Sequence, residues 1–506
     1  MTRSKPAAAP RVPGGLFARP GEGAVLLVVA VVVFWQLSWR GFTGMADNGD
    51  WSRLIAQVGL AVRPADRGTY AERLTRTLLF RPAAKDWHQY PTSAGPLVRA
   101  VVMLDRQLGA RTFDLATLGM VYLAIYLVGV YGLLRASRTL PAPGRAVAVL
   151  AGALLVSDYA FTAYFHSLYS EPVAILSTLF AIAAGVHYAA GSGNRRRLAA
   201  LALALGVTAL AKAQYAPTAV VVALAVAVCG ALAAKRDRRW RSAAAPLLAG
   251  LLVTCIAGTG LALQPQRIAR ANAWDVTYEQ VLPFSSHPRT ALSELGLSPA
   301  LVVYSGRSAY APRTPLTDPV LRVRSPVYVP TTGALTAYWT RHPLQSAHLL
   351  LRGGAGLSEW RPQYLSNTTT PGHGGRRRLL AGASAWSGSV RTLGNAAPGV
   401  VALVLLAGLV APLADLRRSS RHSDRHSTSG THANGRGMLA VLSVLSVLSL
   451  AAVSQFVTVL LGDGTYELVK HLLLFDLLWG ATAVGLLTWG AVRLSASCGR
   501  RFRADR

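Results

Sequence analysis

A chain of 506 residues, 52% of them hydrophobic, repeats apolar runs from near its start to near its end. Each is close to the roughly 20 helical residues that cross a hydrocarbon core of about 30 Å, and a soluble core could not bury them all. The net charge of +30 comes from 47 Arg and five Lys against 22 acidic residues, and the three cysteines fall in two apolar spans and the basic tail, which excludes a disulfide framework.

The pattern therefore predicts an all-α polytopic membrane protein. Ten spans are expected, over about 23–39, 115–134, 145–157, 173–190, 198–211, 215–234, 243–263, 397–414, 438–460 and 471–492. The short loops "RASRTLPAPGR", "GSGNRRR" and "KRDRRWR" fall on one side together with both termini. Short basic loops stay cytoplasmic, so both ends are expected inside. The first span reads as an anchor rather than a signal peptide, because the bulky "WQLSWRGF" follows it where a cleavage site would need small residues. The resulting plan is a basic tail at 1–22 and a seven-span module at 23–263, whose first outer loop is 40–114. A large extracytoplasmic region at 264–396 follows, then three spans within 397–492 holding a disordered linker at 417–436, and a basic tail at 493–506. No internal repeat or pair of broken helices suggests a secondary transporter.

The polar groups expected on the outer face carry the chemistry. Just past the first span, "ADNGD" holds Asp47 and Asp50. The apolar spacing of Trp51, Leu54, Ile55 and Val58 predicts a short amphipathic helix on the membrane, with Asp50 as its N-cap and Asp47 free for chemistry. A second amphipathic stretch, "TYAERLTRTLLF", puts Tyr70, Leu74 and Leu78 on one face. The loop "SDYAFTAYFHSLYSEPVAIL" sets Asp158, His166 and Glu171 among Tyr159, Tyr164 and Tyr169, where a sugar ring could stack. Asp158 reads equally as a solvated loop acid, and Glu171 as a carboxylate complementing the next helix dipole.

Lys212 and Gln214 lie in "AKAQY", a recessed turn between two short spans. A lysine in a chain that otherwise uses Arg, set in apolar surroundings, suits a phosphate. The last outer loop, "GDGTYELVKHLLLFDLLWG", brings Asp463, Glu467, Lys470 and His471 onto one face if a helix begins near Gly464. A local salt bridge from Glu467 to Lys470 or His471 is the plainer reading. Asp476, deeper in the last span, should be neutral or paired. There is no Gly-rich nucleotide loop and no zinc-type His/Cys spacing. A divalent metal stays open as a cofactor, and no nucleic-acid partner is expected.

The ordered set "ADNGD", "YPTSAGPL", "FHSLYSEP", "AKAQ", "LSELGLSP", "YWTRHPLQ" and "GDGTYELVKHLLLF" resembles the WsfD-type hexose transferases of bacterial surface-glycan biosynthesis over about residues 40–480. The resemblance implies a membrane glycosyltransferase of the GT-C type, which takes a hexose from a polyprenyl phosphate on the outer face, with a first-loop carboxylate as base and inversion at the anomeric carbon. Asp47, with Asp50 beside it, matches that carboxylate. Lys212, Gln214, Lys470 and His471 would hold the departing phosphate, while His166, Tyr169, Glu171, Asp463 and Glu467 would meet sugar and acceptor, a glycan or lipid-linked acceptor in membrane lipid. Asp476 departs from the expected neutral polar residue. A flippase or exporter of lipid-linked glycan, a polymer ligase and a non-catalytic scaffold are the rival readings.

Overall fold

A computed structural model describes residues 20–38, 41–66, 71–83, 92–190, 194–236, 240–324, 327–369, 384–422, 432–465 and 467–504. Tyr70 and part of "YPTSAGPL" fall outside these.

The long apolar runs form helices because their backbones satisfy every polar group internally. Eight described helices are long and apolar enough to span a membrane. They are built on α1 (Pro20–Ser38), α4 (Leu115–Ser137), α7 (Glu171–Ala190), α9 (Ala216–Arg236), α10 (Trp240–Ala262), α17 (Ala397–His422), α18 (His432–Thr458) and α20 (Leu473–Ala504), with the turns before α9 and α17 and after α18 completing three of them. A ninth crossing arises if α5 (Ala142–Val156) and the segment 159–166, which bends away from it by 43°, act as one. The run at 198–211 is helix α8 (Arg195–Ala211), whose 17 residues reach only about 25 Å. It stops where Lys212 leaves helical geometry at φ −155°, ψ 143°, and a tight turn at 213–215 leads into α9. The two short helices meeting at a recessed turn are thus found. Leucines and valines such as Leu27, Leu203, Leu248 and Leu403 face outward on the bundle, as a lipid solvent requires.

The expected disordered linker at 417–436 is helical at both ends, since α17 continues to His422 and α18 starts at His432; residues 423–431 lie outside the described set. Likewise α20 carries the basic tail on as helix to Ala504.

The first loop is a compact layer rather than a set of surface helices. Helix α2 (Ser52–Val58) forms as predicted, but Trp51, Leu54 and Val58 pack into the main protein core instead of lipid. The stretch around Leu74 and Leu78 does not form an amphipathic helix. Its Thr-Leu-Leu-Phe end pairs as strand β2 (Thr77–Phe80) between β1 (Leu60–Ala61) and β3 (Thr112–Asp114), all antiparallel. β-Branched and bulky apolar residues favour the pleated surface, and both leucines are buried in the same core. Helix α3 (Ala94–Gln107) packs beneath α2.

The segment after α5 is also buried. Asp158 is no solvated loop acid: its Oδ1 accepts the Ala160 N–H (2.9 Å) at the start of α6 (Tyr159–Thr162) and the Ser387 hydroxyl (2.8 Å), while Oδ2 accepts the Ser387 N–H (2.8 Å). That ties the bundle to α16 (Ala385–Thr392).

The 264–396 region contains α11 (Gln266–Asp275), α12 (Pro288–Glu294), α13 (Pro319–Arg324), α14 (Thr332–Arg341) and α15 (Pro343–Gly353). All but α13 contribute to a second core, centred on Trp274 stacked on Tyr278 at 4.0 Å with Tyr304 and Tyr328 around them. An aromatic cluster gives a short segment enough buried area to hold its own shape.

Removing a buried carboxylate that satisfies three donors leaves those donors orphaned. Asp158→Ala should lower unfolding stability by about 2–4 kcal/mol and Ser387→Ala by about 1 kcal/mol. A double-mutant cycle by thermal unfolding in detergent should show coupling; additive losses would mean the two residues are energetically independent.

Candidate active site

Four chain segments and the 264–396 region meet at one end of the bundle. The first is the turn between α1 and α2. Its backbone is laid against residues 366–368 by hydrogen bonds from Gly44 N to the Asn367 carbonyl (3.1 Å) and from Ala46 N to the Ser366 carbonyl (3.0 Å). Gly49 sits at φ 105°, a conformation that favours glycine. From the start of α7, the Tyr169 hydroxyl donates to the Ala46 carbonyl (2.8 Å) and accepts the Asn48 N–H (3.0 Å).

Within this turn the capping role expected of Asp50 falls to Asp47. Asp47 Oδ1 accepts the N–H groups of Gly49 (2.7 Å) and Trp51 (3.0 Å), so Asp47, not Asp50, closes the turn into α2. Asp50 makes no side-chain cap. Its carboxylate instead meets Arg53 (2.7 Å) and Lys470 (2.8 Å). The difference is geometric: at Asp47 the side chain points forward along the turn towards the N–H groups of Gly49 and Trp51, while Asp50 faces the last loop.

That last loop enters through α19 (Leu468–His471). The helix does not begin near Gly464, which lies at φ 94°; Glu467 stands at its entrance in the left-handed region, φ 53°. Asp463, Glu467, Lys470 and His471 therefore share no helical face. They meet through the fold. Lys470 is 1% exposed, pairs with both Asp50 and Glu467, and sits 5.8 Å from the centre of the Tyr169 ring. Asn48 donates its side-chain amide to both Glu467 oxygens (2.6 Å each).

Beside this triad lies a second buried pair, Lys212 with Glu171 at 3.1 Å. Lys212 does not snorkel, and Glu171, at the first turn of α7, has a specific cation as well as the helix dipole. Gln214 accepts from His471 Nδ1 (2.6 Å) and donates to its carbonyl (3.2 Å). Asp463 accepts from the Asn272 amide (2.7 Å) and lies 3.4 Å from the His471 ring. A cavity of about 20 Å³, room for about one water, separates Asp50, Thr92 and Tyr169 from Glu171 and Lys212.

Burial pushes the Asp47 carboxyl up to about 6, with the Asp50 charge adding to the rise and its two N–H bonds opposing it. Burial acts on Asp50 as well, but Arg53, Lys470 and Lys212 outweigh it and hold that carboxyl well below the usual range. Desolvation works against the Lys470 charge, yet Asp50, Glu467 and Glu171 keep the ammonium protonated above its ordinary value. Burial and the nearby Lys212 push His471 down. Asp47 makes no ion pair among the described residues and is held near neutrality; burial likewise pushes Asp275, packed against Gly464 at the edge of the cluster, up to about 7.

Ten of the eleven expected site residues are thus gathered. His166 is not. It stacks on Phe42 at 4.2 Å, donates from Nδ1 to the Thr43 carbonyl (2.6 Å), and fills the space left by Gly119, where a Cβ would strike its ring. It braces the incoming segment and stands apart from the gathered residues. Sequence reasoning missed Asn48 and Asn272, whose amides serve two of the site's acids, Arg53, and Tyr364, which hydrogen-bonds Glu467. It also missed Arg361, which is 5% exposed and lies 5.7 Å from the Tyr159 ring. Asn48 stood inside a motif already singled out; no periodicity marked the others. Among the described residues no group of three His, Cys, Asp or Glu is placed to hold a metal.

An apolar groove of about 480 Å³ opens one turn below the Lys212–His471 end. Thr208, Thr218 and Leu474 line its near part, and Tyr188, Cys229 and Pro246 its far part.

Residues 19–504 match the family described as the YfdI N-terminal transmembrane domain. The chain belongs to this family. It is a multi-pass membrane protein, and the family shown is not the WsfD-type one that the ordered motifs resemble. No curated protein matches it. Among solved structures, the archaeal oligosaccharyltransferase AglB from Archaeoglobus fulgidus, in complex with an inhibitory peptide and a dolichol-phosphate, aligns at 12% identity and a TM-score of 0.38. The alignment covers 93% of this chain and 50% of that one, so this family member spans about half the length of AglB.

Lys470→Met would leave Asp50 and Glu467 buried together without their shared cation, and should cost about 3–5 kcal/mol of stability. Asp47→Asn keeps the Oδ1 acceptor. Because the folded Asp47 pKa is raised to about 6, its carboxyl favours folding below its unfolded pKa, and that contribution is lost as pH rises through about 6. The Asn variant should therefore be as stable as wild type, or more so, at pH 7.5 and lose that advantage near pH 4 in thermal unfolding. A destabilised Asp47→Asn at pH 7.5 would contradict the assigned protonation.

Proposed function

We propose that this chain is a GT-C-type membrane glycosyltransferase, which transfers a hexose from a polyprenyl-phosphate donor to a cell-surface or lipid-linked glycan on the extracytoplasmic face, with both termini cytoplasmic. The observation that carries this reading is the contrast within one cluster. Asp50, Glu171 and Glu467 are committed to lysines, while Asp47 is buried, unpaired and raised to about 6. A base is most effective when its pKa lies near the working pH.

In the proposed reaction Asp47 accepts the proton of the acceptor hydroxyl as that oxygen attacks the anomeric carbon. The bond from that carbon to the phosphate oxygen breaks, the configuration inverts, and the polyprenyl phosphate leaves with the bonding pair. Its growing charge needs donors. Lys212 has one carboxylate partner and borders the small cavity, so its ammonium keeps donors for a phosphate oxygen, with Gln214, His471 and Lys470 alongside. The apolar groove one turn below suits the prenyl chain of the same lipid. Tyr169, Glu171, Asp463 and Glu467 line the sugar and acceptor side. The buried lysine–carboxylate pairs of the described residues, Lys212 with Glu171 and Lys470 with Asp50 and Glu467, gather at one end of the bundle and do not continue through the depth of the spans, and this favours an enzyme over a flippase.

Membranes holding equal amounts of wild type, Asp47→Asn and Asp50→Asn, supplied with labelled polyprenyl-phosphate hexoses and native lipid acceptors, test the assignment. Asp47→Asn should lose about 10²–10⁴-fold in transfer rate. Wild-type transfer should fall as pH drops below about 6. Asp50→Asn removes a charge that raises the Asp47 pKa, so its residual activity should show the acid limb at lower pH. Transfer by Asp47→Asn at the wild-type rate would remove Asp47 as the base.

A further inference from the structure

Two of the quoted motifs, "LSELGLSP" and "YWTRHPLQ", play no part in the cluster around Asp47. Both run into a different cavity, about 420 Å³, in the wall of the second core. It lies between the stretch from Phe284 to Glu294, which includes α12, and the junction of α14 with α15 at His342. Its volume is within the range that small-molecule sites occupy.

The wall is held rigid from behind. Tyr338, itself buried, donates its hydroxyl to Gln345 Oε1 (2.7 Å), and Gln345 donates to the Val281 carbonyl (3.1 Å). The His342 ring packs against Tyr338 at 4.3 Å and donates from Nε2 to Glu294 Oε2 (2.7 Å). Arg341 reaches the same carboxylate oxygen at 3.7 Å and is anchored through its Nε to the Ala337 carbonyl (3.1 Å). Glu294 Oε1 accepts no hydrogen bond from the described residues. Opposite this polar face stands Phe284, 37% exposed, with the Arg352 guanidinium 4.1 Å from its ring centre.

These groups define what fits. An anion would meet the Glu294 carboxylate, and a cation the Arg341 and His342 pair. A lipid chain would leave the carboxylate and guanidinium desolvated without partners. An extended peptide needs open backbone groups, which helical walls do not offer. A neutral polyhydroxylated ring has what the site lacks: donors for Glu294 Oε1, acceptors for the outer Arg341 N–H groups, and an apolar face for Phe284. We propose that this cavity is a saccharide-binding site, separate from the cluster around Asp47 and seating a neutral sugar unit of a glycan. It goes beyond the transferase reading, since binding here requires neither donor lipid nor transfer.

The test is saturation-transfer NMR on the full-length protein in nanodiscs, with a panel of free neutral trisaccharides of glucose, galactose and mannose and no lipid donor. Wild type should saturate with at least one of them, in about the millimolar range. Glu294→Gln and Phe284→Ala should each weaken that binding about tenfold or more, with unchanged thermal unfolding because both side chains are partly exposed. Asp47→Asn should bind as wild type does. Binding lost in Asp47→Asn but kept in Glu294→Gln and Phe284→Ala would move the sugar to the other cluster and overturn the proposal. Absence of saturation by any trisaccharide would overturn it as well. Neither result depends on whether the chain transfers hexose, so failure here is distinct from failure of the transferase reading.

Discussion

The ammonium of Lys470 holds the functional end of this molecule together. It is almost fully buried, and it joins Asp50 from the first turn to Glu467 at the entrance of its own helix. Burying three charges is expensive, and such a group is retained only when geometry and further hydrogen bonds satisfy each member. Here Asn48 caps Glu467 and Arg53 shares Asp50. The consequence is a local field: with Asp50 compelled to stay ionised, neighbouring Asp47 meets a fixed negative charge as well as burial, and its proton is held to about 6. The three charges at Lys470 thus brace the turn and help set the protonation of Asp47.

The rest of the architecture serves to bring this cluster to a boundary between solvents. The bundle presents leucine and valine outward, while the short helix α8 ends early and leaves Lys212 recessed. A lysine there is tolerable because Glu171 waits at the first turn of α7. An apolar groove starts one turn deeper. Charged groups above, apolar channel beneath them: that is the succession the proposed polyprenyl-phosphate donor would need.

The region at 264–396 contributes twice. Through Asn272 and Tyr364 it donates to the acids of the last loop, and through residues 366–368 it lays a backbone ladder beside the turn that carries Asp47. Its own aromatic core, built on Trp274 and Tyr278, keeps it from being a slack loop. Rigid support of this kind is what fixes a reactive group within a fraction of an ångström.

Periodicity and composition, which are local, determined a good deal. The apolar runs set where the spanning helices lie, the charge of "AKAQY" marked the recessed turn, and "ADNGD", "FHSLYSEP", "AKAQY" and "GDGTYELVKH" together drew attention to ten residues that do converge. The same local reasoning assigned the cap to Asp50, a helix to the stretch before Phe80, a helical start to Gly464 and a sugar contact to His166. The cap passed to Asp47 through N–H groups only two and four residues on, a choice between two nearby acids that spacing alone did not make. Which strand Leu78 pairs with, which cation Asp50 meets and which ring covers His166 depend on atoms tens to several hundred residues away. Residue type and spacing therefore told which groups this chain has to use. Only tertiary packing decided their partners, because a carboxyl's charge is set by what surrounds it in space.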